Sequence, residues 1–245
     1  MKIIAVIPAR YNAKRFPGKL LKKLGNKTII EQTYLNTYKT ELFDDVYVVT
    51  DNKKIYSLIK SIGGKPIMSE KEFKCGTDRI ASAVSDLDVD IIINVQGDEP
   101  FVDKDSLSSL INSLIVDINH EVSLSSLMTK ISDPKKILDQ NIVKVIVDSK
   151  NYAVYFSRFG LPFKRDNKEN INHYRHIGIY AFRKKSLIEF SSYKIGPLER
   201  AEKIECLRFI ENRKKIKMVT TLFKGISIDT PEDLSIAKSI WKSNE

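Results

Sequence analysis

With two cysteines among 245 residues, Cys75 and Cys206, and no C-x-x-C pair, the sequence offers neither a disulfide framework nor a thiolate zinc site. It also lacks any apolar run approaching the roughly 18 residues of a membrane-spanning helix. The first such run, Ile3 to Pro8, passes at once into Ala9-Arg10, too short for a signal peptide's apolar core, so the chain reads as cytoplasmic and without membrane insertion. Both common phosphate loops, G-x-x-x-x-G-K-[ST] and G-x-G-x-x-G, are missing. Lys and Arg total 41 against 31 Asp and Glu, a formal +10 that raises nucleic acid as a partner. The excess is scattered Lys, with no block of about five like charges and no aromatics alternating with cations, so a solvated basic surface is the better reading. No internal repeat or low-complexity linker interrupts the sequence.

What is present is an alternation of apolar runs and amphipathic stretches. Ile3 to Pro8, Val46 to Thr50, Lys65 to Met68 and Ile91 to Gln96 read as strands, with helical periodicity over 28–40, from Asn52 to Ile62 and after Arg79. Such alternation predicts an α/β fold, Rossmann-like and doubly wound, with a mainly parallel central sheet. Further on, 103–117 reads as a helix, 122–129, 143–148 and 216–222 as strands, and Pro197 to Ile210 as one helix. The segment from Ala153 changes texture, running through the polar and basic Lys164-Arg165-Asp166-Asn167-Lys168 to His173–Tyr180. The expected organisation is one domain over 1–245 with an insertion at about 150–200.

Four loops are candidates for chemistry, the first of which reads from its residues alone either as an anion site or as a basic surface turn. Ala9-Arg10-Tyr11-Asn12-Ala13-Lys14-Arg15-Phe16-Pro17-Gly18-Lys19 follows the first strand, where open α/β sheets bind ligands at strand carboxyl ends. Arg10 and Arg15 offer forked donors to phosphate oxygens, and Lys19 a compact charge able to follow a leaving group. Ile91 to Gln96 ends in Gly97-Asp98-Glu99-Pro100, a carboxylate pair suited to a hard cation such as Mg²⁺, which fills its remaining sites with water and phosphate. Thr230-Pro231-Glu232 is a strong helix start, with Asp229 immediately before it. Cys75-Gly76-Thr77-Asp78-Arg79 reads either as a plain N-cap on Thr77 or Asp78 or as a ligand-facing helix opening.

These strings together resemble one family. The first loop is similar to A-R-x-x-S-x-R-[FL]-P-G-K of the CMP-Kdo synthetases (3-deoxy-manno-octulosonate cytidylyltransferases), departing from it at Asn12-Ala13-Lys14. Gly76-Thr77-Asp78-Arg79, Val95-Gln96-Gly97-Asp98-Glu99-Pro100, Tyr155-Phe156-Ser157-Arg158, His176-Ile177-Gly178-Ile179-Tyr180 and Asp229-Thr230-Pro231-Glu232-Asp233-Leu234 follow in the family's order.

The resemblance implies transfer of CMP from CTP to the anomeric hydroxyl of 3-deoxy-manno-octulosonate (Kdo), for lipopolysaccharide biosynthesis. It assigns Pro8, Ala9, Arg10, Gly76, Thr77, Arg79, Gln96 and Gly97 to the nucleotide, and Asp98 and Asp229 to Mg²⁺. Arg10, Arg15 and Lys19 join those two carboxylates in catalysis. Arg158, His176, Tyr180 and Glu205 fall to the sugar, and the segment around 150–182 to a homodimer contact. Cys206 stands where the family has Gln, which implies either a looser sugar pocket or a merely packed thiol. The alternatives are activation of another acidic sugar (amino-Kdo, sialic or pseudaminic type) and a non-catalytic nucleotide- or nucleic-acid-binding protein.

Overall fold

The computed structural model describes residues 1–245 except 14, 70, 72, 74, 167–170, 224 and 243–245. Lys14, Asn167 and Lys168, named above, lie outside the described residues. In chain order the elements are β1 (Ile3–Ala9), a 3-10 turn (Lys19–Leu21), β2 (Lys23–Leu24), β3 (Lys27–Thr28), α1 (Ile29–Lys39), β4 (Asp45–Thr50), α2 (Lys53–Ser61), β5 (Lys65–Met68), α3 (Gly76–Ala83), β6 (Ile91–Val95) and α4 (Lys104–Ile115). There follow β7 (Val122–Lys130), α5 (Pro134–Leu138), β8 (Lys144–Val147), β9 (Ala153–Ser157), β10 (Tyr174–Arg183), α6 (Lys184–Ser192), α7 (Pro197–Glu202), α8 (Leu207–Glu211), β11 (Lys215–Thr220) and α9 (Pro231–Lys242). They form two compact units, Met1–Ser108 with Phe223–Glu245, and Ser109–Leu222, the division falling within α4. The second unit contains the 150–200 segment and extends well beyond it on both sides.

The first unit is built on parallel strands in the order β6-β1-β4-β5. Strands covered on both faces must be apolar throughout, since each residue points into one packed layer or the other. Accordingly Ile4, Ala5, Val6 and Ile7 of β1 and Ile91, Ile92, Ile93 and Val95 of β6 are wholly buried. Each such Ile or Val side chain contributes about 1.5–3 kcal/mol by leaving water.

The helices start where their caps dictate. Thr28 and Glu31 form a reciprocal capping box on α1, with Thr28 N donating to Glu31 Oε2 at 2.6 Å and Glu31 N to Thr28 Oγ1 at 3.3 Å. Asn52 Oδ1 caps α2, and the Cys75 thiol caps α3 by accepting from Asp78 N at 3.5 Å. Neither Thr77 nor Asp78 is the cap.

The second unit is mixed: β11 runs parallel to β7, while β7–β10, β10–β8 and β8–β9 are antiparallel. The single helix expected from Pro197 to Ile210 is broken, because Lys203 takes a left-handed conformation (φ 56°) that closes α7, and α8 begins only at Leu207. The apolar periodicity across the break records burial of Ile204, Leu207 and Phe209 rather than one continuous face. The β2–β3 hairpin and α6 carry patterns too short for the periodicity to announce.

Candidate active site

The first unit gathers its charge at the carboxyl ends of β1, β4 and β6. Beyond Ala9 the chain turns on itself, Tyr11 O accepting from both Ala13 N and Gly18 N at 3.1 Å. Gly18 lies at φ 66°, a conformation costly for any residue with a Cβ, and it launches the 3-10 turn that carries Lys19 inward. Leu20 anchors that turn in the core, so Lys19 is held from below while its ammonium is directed at carboxylates.

Lys19 Nζ lies 2.5 Å from Asp98 Oδ2 and 2.9 Å from Asp229 Oδ1, and Arg15 Nη2 lies 2.9 Å from Asp229 Oδ2. Burial alone would depress the Lys19 ammonium, but Asp98 and Asp229 outweigh it and raise its pKa. Burial likewise pushes Asp229 upward, and Lys19 followed by Arg15 overcomes that and holds the carboxyl below its ordinary range. Two cations of one loop and two carboxylates from distant parts of the sequence thus share one charged cluster. Arg15 remains 55% exposed, free to turn to an incoming anion, and Arg10 at the loop's start is exposed as well.

Both carboxylates sit on backbone that cannot drift. A Cβ on Gly97 would come within 2.9 Å of Pro8 O, so only glycine lets the β6 loop pass this close to β1. Gly97 O accepts from Thr33 Oγ1 at 2.9 Å, Asn36 Nδ2 donates to Pro100 O at 2.7 Å, and Ile228 N donates to Asp98 O at 3.0 Å. Asp229 is fixed through Asp233, whose Oδ2 accepts from Asp229 N at 3.0 Å and Thr230 N at 2.8 Å, while Thr230 Oγ1 accepts from Asp233 N at 3.2 Å. Sequence reading saw the Thr230 cap and overlooked this role for Asp233, although an acid three residues after a threonine cap is its signal.

Beside this cluster lies a polar shelf. Gly76 faces the Pro8 ring and the Gln96 amide, at 3.4 and 3.7 Å from where a Cβ would stand. Gln96 Nε2 donates to Asn94 Oδ1 at 3.2 Å, and Asn94 Nδ2 reaches Thr77 Oγ1 at 3.5 Å. Pro8, Gly76, Thr77, Gln96 and Gly97 are therefore brought together. Asn94, wholly buried inside an otherwise apolar strand, is an addition that the hydrophobic pattern concealed.

Arg79 is buried, 3% exposed, with Nη2 on Asp51 Oδ2 at 2.9 Å and its guanidinium 5.8 Å from the Phe73 ring centre. Its Nε and Nη1 have no hydrogen-bond partner among the described residues. Orphaned donors on a buried cation cost free energy unless something anionic or carbonyl-bearing meets them. Asp51 also accepts from Tyr11 N at 3.4 Å, so it ties the Arg79 helix to the first loop.

The candidates in the second unit are bound into its framework. Arg158 donates from Nε to Glu202 O at 2.8 Å and from Nη1 to Gln140 O at 3.0 Å, and Glu202 Oε2 accepts its backbone N–H at 2.9 Å. Lys144, fully buried, holds the same region by donating to the carbonyls of Asp139, Ile142 and Arg158 at 2.6–2.8 Å. His176 Nε2 pairs with Ser126 Oγ at 2.9 Å and its ring lies between Phe156 and Tyr180, with centres 4.9 and 5.6 Å away. Burial, then the nearby Arg175 charge, drives the imidazole pKa down to about 3, so it is neutral at physiological pH. Tyr180 is buried and hydrogen-bonded to the Cys206 thiol. Burial, with Glu205 next, raises that thiol far above its usual range, which keeps it an inert SH group. Glu205 is half-buried beside it.

The arrangement suits an anionic nucleotide in the first unit: exposed Arg10 and Arg15, a Lys19 ammonium between two carboxylates, and a neutral polar shelf. The cytidylyltransferase family model matches residues 4–216. The 3-deoxy-manno-octulosonate cytidylyltransferase of Christiangramia forsetii is 53% identical over 239 residues, covering 98% of this chain and 96% of that protein. Its counterpart in Flavobacterium johnsoniae is 50% identical over 242 residues, covering 99% of each. A solved structure of CMP:2-keto-3-deoxy-manno-octonic acid synthetase complexed with CTP superposes with a TM-score of 0.93 at 30% identity, covering 100% of both chains. With family model, full-length relatives and fold in agreement, the chain belongs to the cytidylyltransferase family.

Proposed function

We propose that this protein transfers CMP from CTP to the anomeric hydroxyl of Kdo, forming the sugar–phosphate bond as the bond to pyrophosphate breaks. The carrying observation is the ionised cluster of Lys19, Arg15, Asp98 and Asp229 beside the Asn94–Gln96–Thr77 shelf, in a chain half identical to Kdo cytidylyltransferases along its whole length.

Each residue then has a defined task. Arg10 and Arg15 meet triphosphate oxygens with forked donors, and Lys19 neutralises the charge that accumulates on departing pyrophosphate. The orphaned Arg79 donors, together with Gln96 and Thr77, face the nucleotide. Arg158, His176, Tyr180 and Glu205 bind the acidic sugar, the first through a guanidinium whose position is already fixed by two carbonyls. Catalysis is mainly positioning and charge neutralisation, as in other transfers at phosphorus.

Asp98 and Asp229 are the residues to hold Mg²⁺. Two hard carboxylate oxygens converge on one cationic point, the Lys19 ammonium. Mg²⁺ takes only one or two protein carboxylates and completes its shell with water and phosphate, so a pair is enough. Bound there, it supplies Lewis acidity that makes the sugar hydroxyl more acidic.

The protein works in the cytoplasm as a homodimer in lipopolysaccharide biosynthesis; the described residues contain no helix long and apolar enough to cross a membrane. Val154, Phe159 and Phe163, exposed on the 150–182 segment, supply the apolar surface for the dimer contact. Incubating the purified protein with CTP, Mg²⁺ and a panel of ulosonic acids tests the proposal. Pyrophosphate release is expected with Kdo in preference to sialic or pseudaminic acids, and its absence with Kdo would overturn the reading.

A further inference from the structure

Lys19 occupies the position that the carboxylate pair would give a metal. Its Nζ lies at hydrogen-bond distance from one oxygen each of Asp98 and Asp229, and its side chain is only 10% exposed, so water does little to weaken the contact. A Mg²⁺ held by those oxygens at about 2.1 Å would lie too near the ammonium for both cations to remain, by space and by charge. Arg15 on the other Asp229 oxygen adds to the positive charge an entering metal must face. The Lys19 backbone is fixed by the 3-10 turn, with Lys19 N donating to Phe16 O and Lys22 N to Lys19 O. A lysine has a flexible four-carbon stem, and its head re-aims more readily than a guanidinium fork.

We infer that Lys19 is a resident placeholder cation: it compensates Asp98 and Asp229 in the free protein and yields the pair to a divalent metal when a triphosphate draws its ammonium away. Metal and nucleotide binding are then coupled through one side chain. Metal alone binds weakly because it must displace a cation that has no better partner, and nucleotide removes that penalty by offering phosphate oxygens. Reciprocity requires metal to favour nucleotide by the same factor. The inference rests on the assignment of Asp98 and Asp229 as metal ligands, and the test separates the two.

Free Mn²⁺ is titrated by electron paramagnetic resonance against the full-length protein without nucleotide, comparing wild type, Lys19→Met, Lys19→Gln and Lys19→Met/Asp98→Asn. Removing the ammonium is expected to tighten Mn²⁺ binding by about tenfold in both single variants. The double variant is expected to lose that gain. Equal affinity in wild type and both single variants, with weaker binding in the double variant, would overturn the placeholder and leave the metal pair standing. Equal Mn²⁺ affinity in Lys19→Met and Lys19→Met/Asp98→Asn would overturn both.

Discussion

The two units use charge in opposite ways. In the first, cations and carboxylates meet at the ends of parallel strands, where Arg15 is more than half exposed and Arg79 has donors without partners among the described residues. In the second, two large cations are sealed into the framework, while the pairs Lys214–Glu189 and Lys215–Glu121 lie at the surface. Arg208 meets Glu199 through two contacts of 2.7 Å, its guanidinium lies 4.0 Å from the Phe190 ring centre, and it is 1% exposed. Lys144 is committed to three carbonyls. Charge that can exchange partners serves a ligand, whereas charge whose partners are all supplied by the fold serves shape. Substitutions in the first unit should therefore damage turnover more than stability, and those at sealed ions of the second the reverse.

The largest expected effect is on turnover. Asp98→Asn removes one of the two proposed metal carboxylates from a partly exposed position without opening a cavity, so kcat should fall by at least about 10³-fold. The thermal midpoint, measured alongside by calorimetry, should move by only a few degrees. Unfolding at assay temperature would mean that the cluster is structural after all.

The mirror case is Glu199→Gln, which takes the carboxylate charge away from the buried Arg208 guanidinium. Breaking a buried pair on one side costs about 3–5 kcal/mol, readable by urea denaturation. The protein that remains folded at low temperature should retain its kcat.

His176 gives the comparison a pH signature. Its pKa is lowered on folding from an ordinary 6.5 to about 3, so the unfolded chain binds a proton that the folded one refuses. Stability from this group is complete above pH 6.5 and is lost progressively as pH falls from there toward 3, by at most about 1.4 kcal/mol per pH unit. Wild type should therefore lose more stability between pH 7 and pH 5 than His176→Gln does, and parallel losses would remove His176 as the cause.

A smaller effect is expected at Cys206. The thiol is buried, 1% exposed, and bonded to Tyr180, so Cys206→Gln forces a longer polar side chain into a packed site at about 1–3 kcal/mol. If instead the variant is as stable as wild type and shifts kcat/KM between Kdo and modified ulosonic acids, the residue is a specificity determinant facing the sugar.

The parallel strands of the first unit were legible because a strand buried on both faces must be apolar end to end, as in Ile4 to Ile7 and Ile91 to Ile93. The loop cations and Asp98 could be read from their place just after such strands. Their partners could not: the Lys19–Asp229 contact joins residues 210 positions apart, a closure with no local trace. Asn94 was hidden within an apolar run, and Asp233 behind the more obvious Thr230 cap. In the second unit, periodicity carried from Ala201 to Ile210 predicted one helix, because burial of Ile204 and Leu207 continues across a break set by a single left-handed residue, Lys203. His176 and Arg158 were nominated by resemblance alone, since nothing in their spacing distinguishes a ligand contact from a framework bond.

The division of labour between the units is tested most directly by initial-rate kinetics on Arg79→Met and Arg158→Met, each with CTP and Kdo varied independently. Arg79→Met, removing donors proposed to face the nucleotide, should raise KM for CTP about 10-fold or more while leaving KM for Kdo near wild type. Arg158→Met should do the converse. A raised KM for Kdo alone in Arg79→Met, or for CTP alone in Arg158→Met, would contradict the account.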